Sequence, residues 1–179
     1  MSFTVNTVET APEESKEILQ GYIDTMGFVP NLIGVLAAAP SAVRAYKALA
    51  SEFQQSSFNA DELTVVWQTI NHYHSCHYCV PAHAAIANMM KVEPSVTDTI
   101  IEGKSFDDAK LETLRVTTLA IVDQRGDLSD EQLADFYAAD YGEQQLLEIL
   151  VGAAQKLISN YTNRLAKTPV DDLFAKFIK

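Results

Sequence analysis

Apolar residues return every three or four positions along most of this chain, the spacing that gathers them on one face of a helix. Ile18, Leu19, Tyr22 and Ile23 follow it between Thr10-Ala-Pro-Glu13, read as a capped start, and Gly27, a stop. Pro30 and Pro40 bracket an apolar piece. Pro40-Ser41 then opens a helix with Val43, Tyr46, Leu49, Ala50 and Phe53 on one side, broken at Ser56 to Asn59. Asn59-Ala-Asp-Glu62 is a second capping signal, and behind it Leu63, Val66, Trp67 and Ile70 mark the inner face of a helix running toward Tyr73. From Cys76 helix resumes through Ala82, Ala84, Ala85, Ile86 and Ala87, ending near Lys91; these small residues permit close packing and predict a two-helix hairpin. Further helices are predicted over 107–123, after Ser129-Asp-Glu-Gln132, over 143–166, and after Thr168-Pro-Val-Asp171. Alternating β-branched runs with Asn-Gly or Asp-Gly turns are missing. The predicted class is all-α, as one domain over 1–179.

The hairpin matters because of what lies at its bend. All four histidines, His72, His74, His77 and His83, and both cysteines fall within His72 to His83. Two cysteines three residues apart on a helical turn can bring their sulfurs together and close a disulfide with little backbone movement. A helix N-terminus favours thiolate over thiol, so Cys76 and Cys79 are candidate redox groups. His83 lies one turn beyond Cys79, where its imidazole can take the Cys79 proton or pair with the thiolate. Pro81 fits the first turn, which has no use for its missing N–H. His77, inside the motif, is a candidate for tuning the thiols. His72 and His74 read as solvated or capping residues. Trp67, Phe28, Tyr73 and Tyr78 are candidates for the core or for a pocket wall.

Bulk properties narrow the reading. At 179 residues with 47% hydrophobic and 21% charged positions, a chain buries roughly 70% of its unfolded surface and needs no disulfide staple. Two cysteines separated by only two residues suit redox or metal chemistry in a reducing compartment rather than a secreted framework. Neither a secretion signal nor a membrane span is visible, so the expected location is the cytoplasm. A net charge of −11 with scattered Lys and Arg argues against nucleic acid as a partner.

Cys76-His-Tyr-Cys79-Val-Pro-Ala-His83 resembles the Cys-x-Tyr-Cys-x-x-x-His signature of the alkylhydroperoxidase D-like branch of the carboxymuconolactone decarboxylase family. Gly27-Phe-Val-Pro-Asn31, Pro40 and Ser159-Asn-Tyr-Thr-Asn163 through Thr168-Pro-Val-Asp171 are similar to the flanks of its peroxidase-related members. The resemblance implies a helical hairpin core and a thiol peroxidase acting on hydrogen or alkyl hydroperoxides. Cys79 would attack the peroxide, Cys76 would resolve the sulfenic acid as a disulfide, and His83 would accept the proton. It further implies an external dithiol reductant, thioredoxin-like or a lipoyl-bearing adaptor, and a homo-oligomer, trimeric or a multiple of it. No cofactor beyond the disulfide is implied, and the parent decarboxylase activity does not fit the cysteine pair. The family's glutamate twelve residues before the first cysteine is Thr64 here. Glu62 reads as a cap, so either Thr64 relays through water or a carboxylate from elsewhere, with Glu148 the candidate, orients His83.

Two readings stand beside this one. Cys76, Cys79 and His83 with His74 or His77 form a Cys2His2 set for a zinc-stabilised binding module, although one helical turn would have to supply nearly the whole tetrahedron. The missing glutamate also suits a catalytically weak oligomeric scaffold.

Overall fold

The computed structural model describes residues 3–178, so positions 1, 2 and 179 of the expected domain lie outside the described residues. These residues form helices and no strand: α1 (Glu13–Met26), α2 (Asn31–Leu36), α3 (Pro40–Gln54), α4 (Ala60–Tyr73), α5 (Cys79–Met89), α6 (Pro94–Ile101), α7 (Ala109–Asp123), α8 (Asp130–Ala138), α9 (Glu143–Ala166) and α10 (Asp172–Ala175). The all-α reading and the α4–α5 hairpin are as expected. No helix among them is long and apolar enough to cross a membrane.

Helix α4 is the central element, packed against α5, α6, α7 and α9. Its start is the expected capping box: Asn59 Oδ1 accepts the Asp61 and Glu62 N–H groups, and the Asn59 N–H donates to Glu62. Glu62 also accepts the Tyr141 hydroxyl at 2.9 Å, so its carboxylate is fully occupied as a structural tie. Every residue from Glu62 to Asn71 is buried. Trp67, Phe53 and Phe58 form an aromatic cluster with apolar residues of α6 and α7. A second apolar cluster joins Leu19, Leu32, Ile33, Val43 and Phe174 to Cys76, Tyr78 and Cys79. The hairpin's bend therefore lies in the second core while the body of α4 belongs to the first.

Helix α9 crosses α3, α4 and α5. Its approach to α3 depends on Gly152, where an added Cβ would stand 2.9 Å from the Phe53 ring. Helices α2 and α6 were not among the predicted elements, being only 6 and 8 residues long, too short for a periodic signature.

Two predicted caps form differently. Thr10 accepts the Thr7 N–H in a turn of its own, so α1 begins at Glu13 without a side-chain cap. Asp171 does precede α10, but its carboxylate accepts the Asn31 N–H at 3.1 Å and the Tyr78 hydroxyl at 2.6 Å. It serves the first turn of α2 and the hairpin instead of its own helix.

Candidate active site

The turn that carries the sulfurs follows from how α4 ends. Ser75 takes a left-handed conformation (φ 48°), and the Cys76 N–H returns to the Asn71 carbonyl at 3.0 Å. Arg164 donates to the His74 carbonyl at 3.0 Å, satisfying part of the helix C-terminus. Regular helix resumes at Cys79, three residues later than expected. The turn ahead of it is already wound, with the Val80 N–H on the Cys76 carbonyl at 3.1 Å. Cys76 Sγ accepts the Cys79 N–H at 3.2 Å, so the sulfur occupies the place of an N-cap oxygen. Both cysteines are buried and unpaired by disulfide.

Helix α9 supplies the groups facing the sulfurs. Asn163 Nδ2 donates to Cys79 Sγ at 3.2 Å and reaches Cys76 Sγ at 3.9 Å, while Asn160 Nδ2 lies 3.4 Å from Cys79 Sγ. Asn160 also donates to Asn71 Oδ1 at 3.0 Å, and Gln68 donates to the Val80 carbonyl at 3.1 Å, fastening α4, α5 and α9 to one another. Amide donors aimed at sulfur favour its anionic form. One helical turn before Asn160 stands Lys156, fully buried, with Nζ 2.5 Å from His83 Nε2. Among the described residues no carboxylate pairs with it.

The ionisation pattern follows from this packing. The Cys76 thiol is drawn down to about 6, first by the Cys79 thiol bonding to it and then by the N–H groups of Cys79 and Tyr78 and the Lys156 charge, against burial. The Cys79 thiol is pushed up, chiefly by burial and then by its bond to Cys76. Of the pair, Cys76 is thus the more readily ionised and Cys79 the less. Burial, reinforced by Lys156, holds His83 well below the usual imidazole range, so the ring is neutral. Burial also lowers Lys156 to about 8, with both sulfurs opposing that shift.

A cavity of about 590 Å³ opens onto these groups. Cys79, His83, Lys156 and Gln155 border it and Cys76 does not. Tyr22, Leu32, Tyr46, Trp67, Ile86 and Phe174 supply apolar wall, and among the described residues no Asp or Glu lines it. Trp67 is both core and wall, its ring 4.8 Å from that of His83 and its N–H on Gln155 at 2.8 Å. Tyr78 is wall as well. Phe28 instead packs on Phe174, and Tyr73 is exposed with its hydroxyl on Asp123.

The structure brings together Cys76, Cys79 and His83 but not the other candidates. His77 is turned to the Thr168 carbonyl at 2.8 Å, because the wound turn points residue 77 away from the sulfurs. Glu148 accepts from Ser57 and Gln144 on the surface and does not orient His83. The Thr64 hydroxyl donates to the Ala60 carbonyl within its own helix at 2.8 Å, leaving no relay bond toward the imidazole. His83 Nδ1 has no hydrogen-bond partner among the described residues, so the imidazole meets Lys156 rather than a sulfur. The His74 ring meets Tyr73 and Tyr161 edge-on. No three His, Cys, Asp or Glu among the described residues form a metal-holding group.

Sequence reasoning missed Lys156, Asn160, Asn163, Asn71 and Gln68. Their signal was present: polar residues at 155, 156, 159, 160 and 163 keep helical spacing and share one buried face of α9.

Comparison with solved structures places the fold. An alkylhydroperoxidase AhpD core structure, an uncharacterized peroxidase-related protein from Ralstonia eutropha JMP134, superposes with a TM-score of 0.86 at 19% identity, covering 97% of this chain and 93% of that one. A peroxidase-related protein from Silicibacter sp. TM1040 gives 0.74 at 13% identity, covering 93% and 90%. The debrominase Bmp8, as a cysteine-to-alanine variant in complex with 2,3,4-tribromopyrrole, gives 0.76 at 15%, covering 92% and 89%. No protein-family model matches the chain, and a search of curated proteins finds no match. The chain has the AhpD-like fold.

Proposed function

We propose that this protein is a thiol peroxidase that reduces organic hydroperoxides through a Cys76–Cys79 disulfide cycle. One observation carries the reading: two reduced, buried sulfurs share a turn, bonded by amides of α9, and one of them borders an apolar cavity. Access and ease of ionisation favour different sulfurs, since Cys79 borders the cavity while Cys76 is the more readily ionised. A proton shift within the bonded pair reconciles them. Cys79 passes its proton to Cys76 and, as thiolate, attacks the distal peroxide oxygen. The O–O bond breaks, the leaving oxygen takes a proton to become alcohol, and Cys79 becomes a sulfenic acid. The Cys76 thiol then attacks Cys79 Sγ, expelling water and closing the disulfide. An external dithiol, thioredoxin-like or lipoyl-bearing, reopens it in two exchanges, a cycle suited to the cytoplasm.

Alkyl hydroperoxide added to reduced protein is expected to consume both thiols and form one intramolecular disulfide, followed by thiol titration and intact mass. A Cys79→Ser protein that still consumed peroxide at the wild-type rate would falsify the assignment.

The aromatic wall around Cys79 supports a second reading, reductive dehalogenation of a halogenated aromatic. There the same two electrons replace a carbon–halogen bond with C–H, releasing halide as the disulfide closes. Halide release from tribromopyrrole, tested beside peroxide reduction, separates the two.

The outer face of α9 supports a homo-oligomer. Leu147, Leu150, Leu157, Tyr161 and Leu165 are all exposed there, by 47% or more, more apolar surface than a monomer helix usually leaves in water.

A further inference from the structure

We propose that Lys156 is the counter-ion and proton donor of the sulfur pair, holding negative charge on the reduced cysteines and giving its proton to the oxygen that leaves during peroxide cleavage. The donor half rests on the peroxidase reading; the counter-ion half does not.

Four observations converge on Lys156. Its side chain is completely buried, a position lysine seldom occupies unless a partner compensates the desolvation of its charge. The buried carboxylates that could compensate it are engaged elsewhere, Asp171 by Tyr78 and Asn31 and Glu62 by Tyr141 and Asn59. Its Nζ lies against His83 Nε2 from the body of α5, and the sulfurs of Cys79 and Cys76, at the start of α5 and in the turn before it, act on its charge. Finally, Lys156 borders the same cavity as Cys79, within reach of whatever Cys79 attacks. Tyr22 of α1, Tyr46 and Lys47 of α3 and Tyr78 of the turn border the same cavity, and burial keeps the three phenols protonated.

The partner changes what the histidine can do. A carboxylate beside an imidazole makes it a better base. An ammonium beside it does the reverse, and burial acts in the same direction. His83 therefore serves as a neutral acceptor that orients the lysine, with Nε2 taking an N–H from Nζ. Removing a proton from a cysteine is not its part. Lys156 supplies the proton in the cleavage step: Cys79–S⁻, ROOH and Lys156–NH₃⁺ yield Cys79–SOH, ROH and Lys156–NH₂. The Cys76 thiol then condenses with the sulfenic acid, releasing water. When an external dithiol returns two electrons and two protons, one proton stays on a sulfur and the other restores the ammonium.

The test uses reduced, full-length wild-type protein, Lys156→Met and Lys156→Arg. Thiolate is followed by absorbance at 240 nm and by the rate of iodoacetamide alkylation against pH. Loss of the charge in Lys156→Met is expected to move the thiolate midpoint upward from about 6 by about one pH unit, which slows alkylation about twofold at pH 7 and about tenfold at pH 5. Lys156→Arg is expected to stay within a factor of about three of wild type. Single-turnover disulfide formation with cumene hydroperoxide should fall in wild type as pH rises through about 8, where the lysine loses its proton, and this falling limb should vanish in Lys156→Met. A Lys156→Met protein that titrates like wild type overturns the counter-ion role, and a retained alkaline limb overturns the donor role. Wild type that forms no disulfide with peroxide defeats the peroxidase reading and the donor role with it, while the titration still decides the counter-ion role. Circular dichroism checks folding; if the Met variant does not fold, Lys156→Gln, uncharged but able to donate to His83, must show the same losses.

Discussion

Helices α4 and α9 lie against each other and divide their residues in opposite ways. Helix α4 buries Val65, Val66, Trp67 and Ile70 and exposes almost nothing. Helix α9 turns Gln155, Lys156, Ser159, Asn160 and Asn163 inward and leaves Leu147, Leu150, Leu157 and Leu165 in solvent. Burying polar groups is unfavourable unless each finds a partner, and leucines gain nothing from water. Helix α4 is therefore arranged mainly by the demands of folding, with Gln68 and Asn71 tying it to the start of α5. The inner face of α9 is arranged around the sulfurs it meets, while its outer face leaves leucines uncovered. Changes in the two helices should separate stability from chemistry.

The largest effect on folding is expected in α4. Trp67 is 2% exposed, packs edge-on to Phe53 with centroids 5.2 Å apart, and donates to Gln155. Trp67→Ala removes that volume and leaves the Gln155 oxygen without its donor, at a cost of about 3–5 kcal/mol. Denaturant unfolding measures it, and a loss below about 1 kcal/mol would mean that the core does not depend on α4 as described.

On α9 the sign should reverse. Burial lowers Lys156 from 10.5 to about 8, so between those values the unfolded chain holds a proton that the folded one lacks, and stability rises with pH across that window. Below about 8 the folded state carries the full penalty, which corresponds to about 3 kcal/mol at most. Lys156→Met removes the penalty. The variant should be more stable than wild type at neutral pH, with the difference shrinking as pH climbs from about 8 toward 10.5. Thermal unfolding of both proteins across that range reads it. A variant less stable than wild type at neutral pH would show that the ammonium stabilises the fold, contrary to the burial argument.

The same contrast explains what was legible in the chain. Helix α4 could be read because apolar periodicity, the Asn59–Glu62 box and burial all agree. The Cys76–Cys79–His83 group was legible because its spacing is local. Lys156 and the asparagines were not, because a polar residue on a long helix defaults to solvent in any single-sequence reading, and only tertiary packing shows that the polar face is the buried one. The sequence pattern starts the hairpin's second helix at Cys76, three residues early, because the left-handed Ser75 has no glycine to mark it. Thr64 at the glutamate position implies a carboxylate from elsewhere, yet Glu148 is held by Ser57 and Gln144 on the surface. The structure answers with a group of opposite charge from the facing helix.

Asn163 offers a smaller test of the inner face. Its amide gives Cys79 Sγ a bond of 3.2 Å, and a donor to an anionic sulfur lowers the thiol's proton affinity. Asn163→Ala should slow alkylation at neutral pH by about three- to tenfold. Stability should change by no more than about 1 kcal/mol, since the lost hydrogen bond is partly offset by removing an oxygen that has no partner among the described residues. Reactivity that fell only in step with stability would assign the residue to packing.

The weakest expected effect on the chain itself lies on the outer face. Leu157 is 48% exposed, and exposed positions free of caps or pairs usually change stability by no more than about 0.5 kcal/mol. If the α9 leucines meet only water, Leu157→Glu should alter nothing beyond that. If a second copy covers them, a buried carboxylate without a partner would disfavour association. Sedimentation velocity should then show wild type larger than the variant, with the helical spectrum unchanged. Because Lys156 precedes Leu157 and faces the opposite way, the thiolate titration of Leu157→Glu should match wild type. A changed titration would mean that assembly reaches the sulfurs through α9, and the two faces of that helix would no longer be independent.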